Sequence, residues 1–399
     1  MQLDLSAEQV MLADSVRAML EVEYGWAARQ ASLAHPQGCR PELWRQFAEL
    51  GWLMLPLPEA AGGLGGGLLE TGLVMQAFGR SLVVEPYLAS ALCAGWLLAA
   101  LDDAQARRWL AAAREGDGRV VLAHAELGAR DPFAAPACLA LPAQGDGADD
   151  AQGWVLHGFK PLVAGAPGAM GLLVSARDAQ GLTGIFALAP DTAGLRMRDC
   201  RLADGSAAAD LHLDQVPALR LGSAVQDALP LLQRVQARTQ VALCWEARGA
   251  MQAALEGTLG YTATRRQFGQ PLAQFQVVQH RLAEMQVACE EALAACQLAA
   301  LRIDREPDSL DVAVDAALLA KSKVGRAARQ VAQETVQLHG AMGVCEELPI
   351  AALFRKLTAF CQQLGSTGFA SARLGGRQLA SGAWRYSQTL AGPVEGVSS

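Results

Sequence analysis

The chain has 399 residues, 52% hydrophobic and 18% charged, with a formal net charge of −7. That length suggests two or three domains, and the composition suits a packed core and excludes a disordered chain. The negative balance argues against nucleic acid as a main partner, because phosphate binding needs a basic surface.

Residues 1 to about 118 read as helices. Ser6 is a good N-cap, and apolar positions recur at helical spacing through Val10, Leu12, Val16 and Leu20. The glycine-rich run 62–67 interrupts this pattern. Helical pattern precedes it, so it reads as a connection and not as a phosphate cradle, which needs a strand before it. The longest apolar run, near residues 89–101, is shorter than the roughly 20 residues a bilayer needs. The N-terminus lacks a basic region followed by an apolar one. A cytoplasmic protein without membrane insertion is expected.

At Gly116-Asp117-Gly118 the texture changes to short apolar runs separated by turn residues. These are Val120–Ala123, Cys138–Leu141, Trp154–Leu156, Leu172–Ser175, Gly184–Leu188 and Leu211–Leu213, a spacing that predicts a small antiparallel barrel or sandwich. Residues 144–153 read as a surface loop. From about Leu221 long helices return over Gln226–Arg266, Gln274–Asp304 and Asp311–Leu338, with further helical stretches at Leu348–Leu364 and Phe369–Trp384 and a frayed tail from Ser387. Long helices with short connections make a bundle. The domains expected are thus 1–118 helical, 119–220 β and 221–399 a helical bundle. Nine scattered cysteines without a Cys-x-x-Cys pair read as free buried thiols, and six dispersed histidines show no metal-ligand spacing.

Several segments carry a family likeness. Arg265-Arg266-Gln267-Phe268-Gly269 resembles the Arg-x-x-Phe-Gly segment of acyl-CoA dehydrogenases. Phe275-Gln276 and Gln279-His280-Arg281 follow at the family's spacing. Gln337-Leu338-His339-Gly340-Ala341-Met342-Gly343 is similar to its Gln-x-x-Gly-Gly-x-Gly loop. Ala125-Glu126 through Asp131, and Gly158-Phe159-Lys160, add to this in the middle domain. The resemblance implies a mainly α fold with an N-terminal helical domain, a small antiparallel β-barrel and a C-terminal four-helix bundle. It also implies FAD as cofactor and an acyl-CoA thioester as substrate. In the family the Arg matching Arg265 reaches the flavin pyrophosphate, for which a forked, permanently charged side chain is suited. The Phe matching Phe268 packs by the adenosine, the Gln matching Gln337 bonds the ADP portion, and Gly340 and Gly343 keep the backbone bare where the cofactor passes.

The likeness fails where the family keeps its catalytic base, a carboxylate that takes the α proton. The usual Glu before Gly-Thr is Leu364 here, followed by Gly365 and Ser366, and the alternative position on the first long helix is Thr239. Middle-domain hydroxyls that meet the flavin ring are Ala125 and Ala164, and the ring-stacking Trp is Leu162. Only Ser366 keeps a hydroxyl. Glu246 and Glu284 are the other acids to consider as base.

The losses fall on the residues that, in the family's dimers, come from the flavin's own subunit. The residues kept are those that the neighbour donates. The sequence also resembles the small-subunit branch of heteromeric members associated with dicarboxylic acyl or steroid side-chain thioesters. Arg355-Lys356 through Ala359, Asp204-Gly205 and Ala209-Asp210 carry that branch's flavour. The expectation is a homo- or hetero-oligomer, with a second acyl-CoA-dehydrogenase-like subunit supplying the base. Two alternatives stand beside it: a non-catalytic structural or regulatory subunit, and a flavin-dependent, oxygen-using relative. The sequence leaves the acyl group and the electron acceptor open.

Overall fold

The computed structural model describes residues 5–143, 153–223 and 225–382. The N-terminal region is helical, with α1 Ala7–Glu23, α2 Trp26–Ala34, α3 Pro41–Glu49, α4 Leu68–Ser81, α5 Gly95–Ala100 and α6 Ala104–Arg114. Ser6 starts α1 through a reciprocal capping box with Gln9, which satisfies two otherwise orphaned N–H groups. The glycine-rich run leads into α4, but the N-terminus of that helix offers nothing to a phosphate. The Asp304 carboxylate already accepts the Leu68 N–H at 2.8 Å.

Among its described residues the middle region holds seven strands: β1 Val120–Ala123, β2 Leu139–Pro142, β3 Trp154–Ala164, β4 Gly171–Arg177, β5 Thr183–Leu188, β6 Leu195–Arg201 and β7 Ala207–Leu221. Their order β4-β2-β3-β7-β5 returns to β4, so the sheet closes on itself, with β6 hydrogen-bonded beside β7. Closure removes exposed edges. Pairing is mostly antiparallel, but β1 runs parallel to β4, and β2 touches β4 in parallel at Leu139 and Arg177. A second core cluster fills this barrel, with Leu156, Leu172, Val174, Phe186 and Leu211 fully buried. Nearly all of the predicted loop 144–153 lies outside the described residues, as does the tail from Ser387.

Three long helices follow: α7 Leu229–Thr264, α8 Gln276–Arg305 and α9 Leu310–His339. Between the first two sits a hairpin of β8 Arg266–Gln267 and β9 Gln270–Pro271. The chain then forms α10 Pro349–Phe360, packed on α7 and α9, and α11 Thr367–Ser381, packed on α9. α7 is the central rod, buried along most of its length, and α4 lies directly against it. Their contact is close because glycine faces backbone: a Cβ on Gly249 would come within 1.9 Å of the Gln76 carbonyl oxygen. All nine cysteines are free thiols, and seven are buried. No described helix is long and apolar enough to cross a membrane.

Candidate functional site

A cavity of about 800 Å³ opens between α4, α7, the barrel and the segment after α10. Thr239, Leu364 and Ser366, singled out from the sequence, all line it, together with Ala125, Leu162 and Ala164. Neither proton-acceptor position offers a carboxylate. Thr239 donates its hydroxyl to the Val235 carbonyl at 2.8 Å. Ser366 caps α11 by accepting the Phe369 N–H.

Leu364 sits at φ 49° and Leu162 at φ 51°, in the left-handed region that disfavours a branched side chain. Their backbones are anchored there. The Leu364 carbonyl accepts from Gln240 Nε2 at 2.6 Å, and the Leu162 N–H donates to Asp210 Oδ1 at 3.0 Å. Strain of this kind collects at functional positions. Here it falls on two of the cavity-lining positions singled out from the sequence.

Two clusters of paired charges stand beside the cavity. Lys356 on α10 holds Glu246 on α7 at 2.8 Å and Asp204, in the turn between β6 and β7, at 3.1 Å. Burial works against the Lys356 ammonium, yet the two carboxylates raise its pKa above the usual lysine value. Burial would push Asp204 up, but Lys356 and Ser206 hold it at about 2. Burial raises Glu246 despite Lys356. Glu246 is thus clamped as an ion-pair partner, and Glu284 lies exposed on α8, outside the cavity wall.

On the barrel side, Lys160 donates to Glu126 at 2.5 Å and contacts Ser175 Oγ at 3.3 Å. His124 Nδ1 lies 2.8 Å from the same Ser175 oxygen. Burial and then the Lys160 charge depress His124 to about 4, so its ring is neutral near pH 7. Ser175 is fully buried and cannot meet a substrate as a nucleophile. Asp131 is paired with Arg373.

The other predicted residues lie elsewhere. Arg265 caps the end of α7 and is exposed, and its side chain makes no ion pair or hydrogen bond among the described residues. Phe268, at the tip of the β8–β9 hairpin, is 91% exposed and also has a positive φ of 52°. Gln337 is exposed on the last turn of α9. Tyr261 stacks on His339 with ring centroids 4.4 Å apart, which brings the ends of α7 and α9 together. Gly340 takes φ 60°, and at Gly343 a Cβ would approach the Val336 carbonyl oxygen to 2.8 Å. None of Arg265, Phe268, Gln337, Gly340 and Gly343 lines the cavity.

The fit to FAD differs between the two places. The hairpin end offers an unpaired guanidinium, an uncovered aromatic ring and bare backbone, a donor set suited to a pyrophosphate and an adenine. The cavity offers methyl groups and leucines where a flavin ring needs hydroxyl partners, and Lys356, the lysine in its wall, is already spent on carboxylates. That wall does not fit the flavin.

Sequence reasoning missed the Lys356–Glu246–Asp204 cluster and the Glu126–Lys160 pair, although it had quoted all five residues. For Glu246 and Lys356, charged side chains at helix positions with apolar residues one turn to either side were the available signal.

Comparison with known proteins agrees with this layout. The N-terminal domain of acyl-CoA dehydrogenases matches residues 6–117, and the C-terminal domain matches residues 232–369. The acyl-CoA dehydrogenase FadE28 of Mycobacterium tuberculosis is 30% identical over 94% of this chain and 99% of its own. A variant of the Tcur3481-Tcur3483 steroid ACAD is 32% identical, with a TM-score of 0.82 over 94% of this chain and 98% of that one. The ChsE4-ChsE5 complex of Mycobacterium tuberculosis is 25% identical, with a TM-score of 0.82 over 95% and 99%. Two domain matches, one on each side of the barrel, and a relative of nearly equal length lead to one conclusion: the chain belongs to the acyl-CoA dehydrogenase family.

Proposed function

We propose that the chain is one subunit of an FAD-dependent acyl-CoA dehydrogenase complex and completes a flavin site on a second, acyl-CoA-dehydrogenase-like subunit. The observation that carries this is the separation of two residue sets. Arg265, Phe268, Gln337 and Gly340 stand exposed at the bundle end, with Gly343 buried just behind them. The chain's own cavity has lost its acid and its ring partners at Leu364, Thr239, Ala125, Ala164 and Leu162. Arg265 would hold the pyrophosphate and Gln337 the ADP portion, while the glycines let the cofactor pass. FAD, when bound, supplies the acceptor for the substrate's hydride. The α proton must go to a carboxylate on the partner. Relatives that assemble from two named chains support a heteromer. The steroid relative supports a role in degrading lipid or steroid acyl-CoA thioesters.

Co-expression with candidate acyl-CoA-dehydrogenase-like partners, followed by a flavin count, tests this. The expected result is a colourless isolated chain and one FAD per assembled pair. One FAD per chain in a stable homo-oligomer would overturn the reading. Turnover by the homo-oligomer would do the same. An assembled pair without flavin would favour a non-catalytic structural subunit.

A further inference from the structure

Arg265 and Gln337 stand on different helices, so one ligand can use both only if the spacing between them is fixed. The backbone of Arg265 is held on both sides. Its N–H donates to the Tyr261 carbonyl at 2.8 Å, and its own carbonyl accepts the Leu272 N–H at 2.9 Å. Gln337 lies on the last turn of α9, where its carbonyl accepts the Gly340 N–H. Each side chain therefore leaves from a defined place on its own element.

Tyr261, on the last turn of α7, ties the two elements together. Its ring stacks on His339 with centroids 4.4 Å apart and planes 22° apart. Its hydroxyl donates to the His339 carbonyl at 3.4 Å. That carbonyl is one of the last four of α9, which have no acceptor role left inside the helix. His339 itself is 6% exposed. Its Nδ1 lies 2.8 Å from the Thr335 carbonyl, which can only accept, so Nδ1 carries a proton and pins the ring back along α9. The other hydroxyls at this end of α7 do not cross to α9. Thr262 and Thr264 donate to carbonyls of α7 itself. Tyr261 and His339 lie outside the cavity wall.

We propose that Tyr261 and His339 are positioning residues for the cofactor half-site. Their stack sets the distance between Arg265 and Gln337, so that the guanidinium and the amide meet the pyrophosphate and the ADP end of one dinucleotide. This rests on the half-site reading above. Arg265 and Gln337 are exposed, and a ligand must order them on binding. Groups already held at the right spacing lose less freedom, which raises affinity without a new contact.

The test is equilibrium dialysis against FAD of the chain co-expressed with its acyl-CoA-dehydrogenase-like partner. Tyr261→Leu and His339→Leu should each weaken FAD retention roughly tenfold, in line with the worth of an aromatic pair. Tyr261→Phe keeps the stacked ring and should restore most of the loss. Residues that act through Arg265 must also couple to it. Arg265→Ala should therefore cost at least about threefold less in the Tyr261→Leu background than in the unmodified chain. A purely structural role would leave the two effects independent. Size-exclusion chromatography checks that each variant assembles, and having two stack variants guards against one that does not. Retention unchanged in both stack variants overturns the proposal. So does a Tyr261→Phe loss as large as that of Tyr261→Leu, or an Arg265→Ala effect equal in both backgrounds. Arg265→Ala without effect in the unmodified chain defeats the half-site reading itself. A loss in Arg265→Ala with none in the stack variants defeats the positioning role alone.

Discussion

The two ends of α7 are built to opposite rules. Around its first half charges are committed to one another: Lys356 to Glu246 and Asp204, Lys160 to Glu126, and the partly buried Arg373 to Asp131. At its far end Arg265 stands exposed without a partner among the described residues, and Phe268 has almost no cover. Committed charges hold a fold together and have little left for a ligand. Free charges and bare rings do nothing for the monomer and are available to a neighbour. On the half-site reading proposed above, the contrast marks the half that would recruit a cofactor.

The sharpest way to break that contrast is to remove the charge at the centre of the committed cluster. Lys356→Met leaves Asp204 and Glu246 buried without a counter-ion, and loss of one partner of such a cluster costs about 3–5 kcal/mol. Urea unfolding of the purified chain should show it. Arg265→Ala, in the same assay, should stay within about 0.5 kcal/mol, because an exposed, unpaired side chain contributes little. Comparable losses in the two variants would erase the distinction.

His124 gives the committed side a pH signature. Its folded pKa of about 4 lies below the usual histidine value of 6.5, so the unfolded chain takes up the proton first as pH falls. Stability from this group is fully present above pH 6.5 and is lost between 6.5 and 4, up to about 3 kcal/mol in all. The difference in unfolding free energy between the unmodified chain and His124→Gln should shrink across that window. A difference that stays flat from pH 7 to 4 would show that the ring is not held neutral.

The free side has its own measurement. In the assembled complex Arg265→Ala should weaken flavin retention by about 1.5–3 kcal/mol, the worth of a charge-assisted contact. Arg265→Lys should restore part of it, since Lys keeps the charge and lacks the fork. Equilibrium dialysis against FAD reads both, and unchanged retention in Arg265→Ala would remove the residue from the site.

The fold was largely legible in the sequence, because helical periodicity over Gln226–Arg266 and its successors persists for many turns. The barrel was harder. β6 escaped because Leu195-Arg196-Met197-Arg198 alternates charge with apolar residues instead of forming an apolar run, and its strand is largely exposed. The parallel pairing of β1 with β4 depends on chain reversals that no local pattern encodes. The motifs at Arg265 and Gln337 could be seen because each is a continuous segment. The Lys356–Asp204 pair could not, since 152 residues separate its members. The cavity is harder still, being assembled from α4 and the stretch after it, α7, three segments of the middle domain and the stretch after α10.

The smallest expected effect is the most exacting for the comparison. Leu364→Glu puts a carboxylate back at the position where the family keeps its base. The left-handed backbone at φ 49° stays as it is, because Gln240 holds the Leu364 carbonyl. The side chain is only partly buried, so stability should shift by no more than about 1 kcal/mol. Turnover of acyl-CoA substrates by the isolated chain should remain absent. A base acts only within hydrogen-bond reach of the proton it takes, and here nothing would hold the flavin ring opposite it: Ala125 and Ala164 present methyl groups, and Leu162 cannot stack as an indole does. Adding Ala125→Thr and Ala164→Thr to Leu364→Glu should begin to retain flavin before any turnover appears. If Leu364→Glu alone confers dehydrogenation, the cavity already binds FAD through its backbone. The committed half would then be a working site that lacks only its acid.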